Sequence, residues 1–485
     1  MRRYLQWQSN ERQAWILLCI FLLAIGVYKW QYLSLPFFWD EAWSYAKAVF
    51  VMHKQGITLW PGSVDANIFR GHPLFFYASS ATLSLIGNGN ITALHASMLA
   101  ISLLLSVLMY VSIRPWLGWQ AAWLSTILLL MQNLFLVECS FLLPEIQIGF
   151  LSIISLSAYL NQQKVVYLMA SCVLVMTKES GIIAPLAIVC YEAISYLRHR
   201  HQQGLFSTQS FVWIFPLLLF AAFLGVQKYY HGWFLFPEHA AMLRFDGRIV
   251  WEQLLNFLQY LDVQDGRSPV TILVAISLPI LAILRRKSFL LWIQNPWLHL
   301  LLLFTVMYLV FSAINFFSTR YLFTLLIIWS CLCGSIVSSW IDDNRILMVM
   351  AGIFAMYFIP YFFIVPAKAN SEASRDYVYS VQTQYAVIHE FVCTHAQQEI
   401  ESRQTIRGFW GDFLLNENMS HPEIGYLTTG CVVPLQELSM AKYILSSNIE
   451  PVEGRIQNEL SQGTIQLVFE RKQKTAWCRV YERQQ

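Results

Sequence analysis

The chain has 485 residues, of which 56% are hydrophobic and only 13% carry a charge. A soluble domain of this length does not need so much apolar sequence, so the composition excludes an ordinary soluble protein and predicts a membrane protein. The formal net charge of +3 is too small to indicate a nucleic-acid partner.

The first apolar stretch, residues 15–32, is long enough to cross a bilayer. It is followed by the adjacent carboxylates Asp40 and Glu41, which lie between aromatic residues where the chain leaves the membrane. Aromatic side chains favour the membrane interface, and ionisable groups at that depth are costly and usually functional. This position therefore predicts chemistry at the level of a lipid head group on the far side of the membrane.

The first loop on that side, residues 34–90, contains two helix-like stretches, 42–54 and 73–86. An amphipathic helix in such a loop lies in the membrane interface rather than across it. Between the two stretches, Arg70 and His72 are predicted to return to the plane of the acid pair. Taken alone, these two residues are explained equally well as solvated loop residues.

Ten further apolar stretches follow, which gives about eleven spans if each stretch of roughly 20 residues crosses the membrane. They fall near residues 92–112, 119–137, 145–160, 165–177, 181–197, 211–228, 269–284, 297–315, 321–340 and 346–365. The stretch 165–177 is short for a full crossing. It is counted as a span because leaving it out would move every later loop to the opposite side of the membrane.

Charge predicts the orientation of these spans. Arg2, Arg3 and Arg12 precede the first span, and tight loops on the same predicted side are also basic. Short basic loops stay in the cytoplasm, so the N-terminus is predicted to be cytoplasmic. Acidic residues gather instead in the outer loops and at the outer ends of spans, Glu138 and Glu145 among them.

From about Ala367 the composition changes, and no later run of apolar residues has membrane length. A helix-like stretch over 377–401 is followed by short strand-like pieces near residues 424, 431, 443, 465 and 478, which predicts a small α/β domain. An odd number of spans after a cytoplasmic N-terminus puts this domain outside. The predicted fold is thus an all-α polytopic membrane domain, residues 1–366, followed by an extracytoplasmic α/β domain, residues 367–485.

Three cysteines, Cys393, Cys431 and Cys478, fall in the predicted outer domain. In an oxidising compartment one pair of them could form a disulfide. The sequence does not choose among the possible pairings.

Two short motifs return to the outer plane later in the chain. Thr177-Lys178-Glu179 lies between two spans and, by itself, is best explained as the charged tip of a hairpin. Arg320-Tyr321 begins another span. An interfacial arginine often extends towards lipid phosphate, and its planar guanidinium is suited to holding a phosphate through two hydrogen bonds.

Two histidines, His231 and His239, lie in another outer loop and could be metal ligands, although the sequence shows no clear carboxylate–histidine cluster. The combined pattern is more informative than any one motif. Carboxylates, arginine, lysine and histidine all return to one plane from separate segments. Such a layout suits a substrate with an anionic head group and a lipid tail.

With these motifs in this order, the chain resembles the polyprenyl-phosphate-sugar-dependent membrane glycosyltransferases of the GT-C class. The nearest branch is that of the protein O-mannosyltransferases and the lipid A aminoarabinose transferases. The resemblance covers residues 1–365 well and the tail loosely. It is carried by Asp40-Glu41, Gly71-His72-Pro73-Leu74, Thr177-Lys178-Glu179, Arg320-Tyr321 and, less firmly, residues 232–239. Leu74 is a departure, because many members have a second proline there.

The resemblance implies a reaction mechanism. Asp40 would be the general base that removes a proton from the acceptor, with Glu41 in a supporting role, and the acceptor would attack the anomeric carbon. Fixed cations would stabilise the lipid phosphate as it leaves, and Arg320, Lys178 and Arg70 are the candidates. The predicted substrate-binding set is completed by His72, Glu179, Tyr321 and His239.

The implied donor is a polyprenyl-phosphate-linked sugar, and the acceptor is a lipid, a glycan or a protein. The expected location is a bacterial inner or plasma membrane. No cofactor is predicted and no residue is assigned to a metal, while metal dependence stays open.

Two other functions compete with this one. An oligosaccharide ligase or polymerase also uses a lipid-linked donor, but such proteins tend to rely on a large outer loop late in the chain. A transporter or flippase would predict internal repeats and charges at mid-membrane. Here the large loop comes first, no convincing repeat is present, and the charges gather at one face.

Overall fold

The computed structural model describes residues 2–35, 37, 40–198, 208–315, 318–341, 343–364, 377–395, 409–410, 438–449 and 451–484. The helices are α1 (Arg2–Trp30), α2 (Lys47–Gln55), α3 (Ala66–Phe69), α4 (Phe75–Ile86), α5 (Ile91–Leu130), α6 (Asn133–Glu138), α7 (Glu145–Leu160), α8 (Lys164–Val175), α9 (Ile183–Arg198), α10 (Thr208–His231), α11 (Pro237–Met242), α12 (Gly247–Val263), α13 (Ser268–Leu284), α14 (Arg286–Ile293), α15 (Pro296–Ile314), α16 (Leu322–Trp340), α17 (Asn344–Ile364), α18 (Tyr377–Val387) and α19 (Gln457–Ser461). The strands are β1 (Phe409–Trp410), β2 (Tyr443–Ser447), β3 (Ile465–Gln473) and β4 (Ala476–Arg483).

The apolar stretches of the sequence form helices, and the protein is a multi-pass membrane protein. Among the described residues, seven helices are long and apolar enough to span a bilayer, or eight if α12 and α13, which meet at 94°, form one broken span. The predicted count of eleven is not confirmed. The 40-residue helix α5 covers two predicted spans and breaks at Gly118, where φ is 79°. Helices α7 and α8, with 16 and 12 residues, are short for a full crossing.

Helices α7 and α8 form a short antiparallel hairpin. Glu145 begins α7 and Lys178 follows α8, yet Lys178 Nζ lies 2.7 Å from Glu145 Oε1. The chain therefore enters and leaves this hairpin at the same end of the bundle. The short stretch 165–177 does return the chain, as the sequence predicts.

Helix α16 is the most deeply buried of the candidate membrane spans among the described residues. In its apolar stretch, 83% of the residues are buried inside the protein. It packs closely on α5 at Gly334, where an added Cβ would lie only 2.3 Å from Ser125 Oγ. A central, close-packed helix holds its ends in fixed positions. Arg320 lies in the turn that leads into α16.

The first loop contains the two predicted helices. A π-helical turn, Glu41–Ala46, leads into α2, and α4 lies against α2. Such turns often occur at functional sites. The backbone N–H of Phe75, at the start of α4, donates to the carbonyl oxygen of Met176 at 2.8 Å. This bond ties the first loop to the turn that carries Lys178.

The tail contains a four-stranded sheet of order β1-β2-β4-β3, in which β4 is antiparallel to both β2 and β3. The predicted strands near 443, 465 and 478 are confirmed, whereas those near 424 and 431 lie outside the described residues. Helix α18 packs on β3 and β4. Phe362, near the end of α17, shares a buried apolar cluster with residues of α18 and the sheet. The predicted boundary at 366 is itself outside the described residues.

Two of the three tail cysteines are in described parts of the chain. Cys393 is disulfide-bonded. Cys478 is a buried thiol in β4. Cys431 lies outside the described residues, so the pairing stays a prediction.

Candidate active site

Five side chains, which we call the cation cluster, meet at one end of the helical bundle: Asp40, Glu145, Lys178, Arg320 and Tyr321. Arg320 forms an ion pair with Asp40, and its Nε lies 3.3 Å from Glu145 Oε1. Lys178 Nζ donates to Glu145 Oε1 at 2.7 Å. Both cations lie near the Tyr321 ring, at 4.8 Å for Lys178 and 5.6 Å for Arg320. Two buried cations therefore share two carboxylates beside an aromatic face.

Local backbone structure explains how these charges reach one place. Asp40 immediately precedes the π-helical turn, and Glu145 is the first residue of α7. Carboxylates are favoured there because helix N-termini present backbone N–H groups and a positive dipole end. Helix α8 ends at Val175, and Lys178 follows with extended backbone angles, φ −161° and ψ 157°, as the cap of a short 3₁₀ turn. At Gly181 an added Cβ would lie 2.2 Å from the carbonyl oxygen of Leu174, so only glycine allows this tight turn.

The electrostatics keep Lys178 charged. Burial alone would lower the pKa of the ammonium group, but Glu145 holds the pKa of Lys178 well above its ordinary value. The Tyr45 hydroxyl lies 3.3 Å from Lys178 Nζ. Burial raises the pKa of Tyr45, so this hydroxyl is neutral near pH 7. The cluster thus holds two cations, Lys178 and Arg320, each of which is paired with a carboxylate.

Glu41 points away from the cation cluster. Its Oε1 accepts the backbone N–H of Leu142 at 2.6 Å and lies 2.8 Å from His95 Nε2. The other ring nitrogen of His95 lies 3.0 Å from the carbonyl oxygen of Leu33. Both partners, Glu41 and His95, are buried. Glu41 therefore ties the start of the first loop to α5 and to the segment before α7.

A second group, which we call the histidine cluster, consists of His72, Glu179 and His239. His72 Nδ1 lies 2.9 Å from both carboxylate oxygens of Glu179. The rings of His72 and His239 have centroids 4.8 Å apart. Tyr45 stacks on His72 at 6.4 Å and also contacts Lys178, so it lies between the two clusters. Burial, followed by the charge of His72, lowers the pKa of His239 to about 3, which leaves its ring neutral near pH 7.

Arg70 belongs to the histidine side of the site. It forms an ion pair with Glu238 and lies over the Phe236 ring at 5.8 Å. Arg70 and Gly71 have successive left-handed backbone angles, with φ of 52° and 73°, and this turn presents His72. The two residues bring the first loop against the segment that contains His239.

Eight of the nine residues that the sequence singled out therefore lie in or beside these two clusters, and Glu41 does not. The sequence did not predict the contacts of Glu145 and Tyr45. For Glu145 it contained a sign of a functional role, because an acidic residue at the start of a membrane span is costly. For Tyr45 it contained no such sign, since an aromatic residue on an apolar helix face usually indicates only packing.

No family model matches the chain, and no curated protein matches it. Solved structures do. ArnT from Cupriavidus metallidurans bound to undecaprenyl phosphate is 14% identical in sequence, with a TM-score of 0.53 over 95% of this chain and 97% of that chain. The apo state of the same protein gives a TM-score of 0.53 and 14% identity over 97% and 98%. The chain has the GT-C fold. The fold class predicted from the sequence is confirmed, and at this identity the likeness shows the fold alone.

Proposed function

We propose that the protein transfers a sugar from a polyprenyl-phosphate-linked donor to an acceptor at the outer face of the membrane. The observation that carries this proposal is the cation cluster, in which the buried side chains of Arg320 and Lys178 are paired with Asp40 and Glu145 respectively. A lipid-linked phosphate at the membrane interface matches two fixed cations. The fold is shared with a protein crystallised with undecaprenyl phosphate, which supports this class of donor.

The contacts of Arg320 suggest how binding and chemistry are coupled. Arg320 contacts both Asp40 and Glu145. A donor phosphate would compete for the guanidinium and release Asp40. Asp40 then takes a proton from the acceptor, the acceptor attacks the anomeric carbon, and the bond from that carbon to the phosphate oxygen breaks. The departing phosphate keeps the bonding electron pair, and Lys178 and Arg320 stabilise its charge.

The remaining residues are proposed to shape the donor site. Tyr321 lies beside both cations and limits their movement. His72, Glu179 and His239 border the site, while Arg70 holds the first loop beside them. Glu41 supports the loop that carries Asp40 rather than acting on the substrate.

The site is proposed to face the outside of a bacterial inner membrane, with the N-terminus in the cytoplasm and the tail outside. The basic short loops support this orientation. The contacts between Lys178, Glu145, Arg320 and Asp40 join four chain segments at one end of the bundle, which supports this arrangement.

The test is a turnover assay of the purified full-length protein with a panel of polyprenyl-phosphate sugars, in which release of polyprenyl phosphate is measured. Asp40→Asn is the matched control, since it preserves shape and removes the base. We expect at least one donor to be consumed by the wild type and not by Asp40→Asn. If no donor in the panel is consumed with lipid, glycan or protein acceptors, the proposal fails.

The two competing functions give other results in the same experiment. A ligase or polymerase would consume only donors that carry an oligosaccharide. A flippase would move a labelled donor across a vesicle membrane without releasing polyprenyl phosphate. Neither is favoured by the structure, in which Glu145, Lys178 and Arg320 of the cation cluster lie at or beside helix ends.

A further inference from the structure

We propose that His95, near the start of α5, is a positioning residue for Asp40 and that it acts as a doubly protonated imidazolium. The role of Asp40 as the base rests on the proposed function. The structural part is separate, because it concerns a charged ring that holds the chain segment before and after Asp40. That part can be measured without turnover.

The ring of His95 contacts the segment that leads from α1 to Asp40 at three points. Its Nδ1 lies 3.0 Å from the carbonyl oxygen of Leu33, and its Nε2 lies 2.8 Å from Glu41 Oε1. Between these two contacts, the Phe37 ring packs edge-on against the imidazole, with centroids 5.1 Å apart. All three partners are buried. One side chain of α5 therefore holds both ends of the segment that contains Asp40.

The chemistry of its partners decides the charge of the ring. A carbonyl oxygen only accepts hydrogen bonds, so Nδ1 must carry a hydrogen towards Leu33. Glu41 Oε1 already accepts the backbone N–H of Leu142 at 2.6 Å, as an ionised carboxylate oxygen does. Nε2 must therefore donate to this oxygen as well. With a hydrogen on both nitrogens, His95 is an imidazolium paired with the carboxylate of Glu41.

The bridge between His95 and Glu41 is shielded from water, since the two side chains are 3% and 2% exposed. A buried charge persists when it is paired and hydrogen-bonded, as both are here. The charged neighbours of the bridge are Lys29 on α1, which is attracted by Glu41, and Glu138 at the end of α6. The nearby thiol of Cys139 is neutral, because burial raises its pKa to about 11.

The bridge limits where Asp40 can lie. Asp40 is adjacent to Glu41, but its carboxylate turns to Arg320 instead. A displacement of about 1 Å caused by a distant change can cost about 10²-fold in rate. If the ring of His95 loses its second proton, Nε2 presents a lone pair to the carboxylate, and the contact becomes repulsive. The bridge is therefore present at low and neutral pH and is lost as the pH rises.

The first experiment separates turnover from binding in the full-length protein, with the donor that the panel assay identifies. His95→Ala should lower turnover at saturating donor by about 10²-fold and leave the affinity for undecaprenyl phosphate unchanged, because Lys178 and Arg320 are intact. His95→Gln keeps an N–H group that reaches Glu41 and does not titrate. It should recover most of the turnover and remove the fall in turnover that the wild type shows in alkaline buffer.

His53→Ala is the matched control. His53 lies in the same loop, but its Nδ1 is 3.0 Å from Ser84 Oγ and does not reach the segment that contains Asp40. It should keep the turnover and the pH profile of the wild type. Wild-type turnover in His95→Ala, a parallel loss of donor affinity, or an alkaline fall that persists in His95→Gln would each contradict the positioning role.

Nitrogen-15 NMR of histidine-labelled full-length protein measures the charge of the ring directly. The chain has 11 histidines, and the signals that are absent from His95→Gln identify His95. We expect both ring nitrogens to carry a proton at neutral pH and one proton to be lost in alkaline buffer. A ring with one proton at neutral pH would overturn the inference whatever the enzyme assay shows. If the wild type consumes no donor, the transferase proposal fails, and the NMR result alone decides the bridge.

Discussion

Arg320 is the site residue whose contacts depend most on the shape of its side chain. Its guanidinium reaches Asp40 and Glu145 at once and lies beside the Tyr321 ring. Lysine has a point charge on a flexible chain and cannot make these contacts together. This position therefore uses the planar fork of Arg320 in addition to its charge.

Arg320→Lys should therefore weaken donor binding instead of preserving it. A lost charge-assisted hydrogen bond costs about 1.5–3 kcal/mol, which corresponds to roughly 10–100-fold in affinity. The measurement is binding of undecaprenyl phosphate to the purified variant. Arg248→Lys is the control, because Arg248 forms an exposed pair with Glu252 on α12. Equal affinity in Arg320→Ala and wild type would remove Arg320 from the site.

Asp40 and Glu41 are neighbours in sequence with different surroundings, and their variants should separate chemistry from stability. Asp40→Asn keeps the shape of the side chain but cannot take a proton. It should bind the donor about normally and lose turnover by about 10²–10⁴-fold, the usual effect of removing a general base. Single-turnover kinetics with saturating donor measures this directly. Near-normal turnover in a folded Asp40→Asn protein would show that the base lies elsewhere.

Glu41→Gln should lower the stability of the folded protein. The buried carboxylate of Glu41 accepts the N–H of Leu142 and contacts His95, and a lost buried hydrogen-bond partner costs about 1–3 kcal/mol. We expect a lower melting temperature and an unchanged turnover number per folded molecule. A drop in turnover as large as that of Asp40→Asn, without a change in melting temperature, would instead return Glu41 to a catalytic role.

The turn between α8 and α9 positions Lys178. An added Cβ at Gly181 would lie 2.2 Å from the backbone oxygen of Leu174, so Gly181→Ala must displace the turn. We expect a lower melting temperature and weaker donor binding, because Lys178 leaves Glu145. Gly225→Ala in α10 is the control, since its Cβ would meet nothing within 4 Å. Measuring both properties for the two variants checks the prediction, and equal behaviour would contradict it.

Helices were the part of the fold that the sequence predicted best. Their apolar runs are long, and burial in lipid or protein favours helix in both cases. The span count was less accurate, because a break such as Gly118 and the 94° bend between α12 and α13 depend on packing rather than on local composition. The small sheet was predicted from alternating strand-like pieces, and its order required the structure.

The sequence predicted which side chains lie at the same end of the helical bundle but not which of them are in contact. The contact of Lys178 with Glu145 joins residues 33 positions apart, and that of His72 with Glu179 joins residues 107 apart. Charged motifs are readable because charge is costly in a membrane. Pairing depends on how the helices pack, so the separate roles of Glu41 and Glu145 became visible only in three dimensions.

The tail and the site lie at the same end of the bundle, which makes the membrane orientation testable. Phe362, in the apolar cluster that the tail shares, contacts the Tyr28 ring near the end of α1. Arg285 donates to the carbonyl oxygen of Ser339 at the other end of α16, far from Arg320. A charge on the tail and one on the loop after α13 should therefore face opposite sides of the membrane.

We expect a membrane-impermeant thiol reagent to label Lys472→Cys, an exposed position on β3, in intact cells. Lys287→Cys, exposed on α14, should react only after the cells are permeabilised. Each variant is compared with the parent protein, whose native cysteines give the background. The short basic loop after α13 is the physical reason, because such loops remain in the cytoplasm. Labelling of Lys287→Cys and not Lys472→Cys in intact cells would invert the orientation and place the proposed chemistry on the cytoplasmic face.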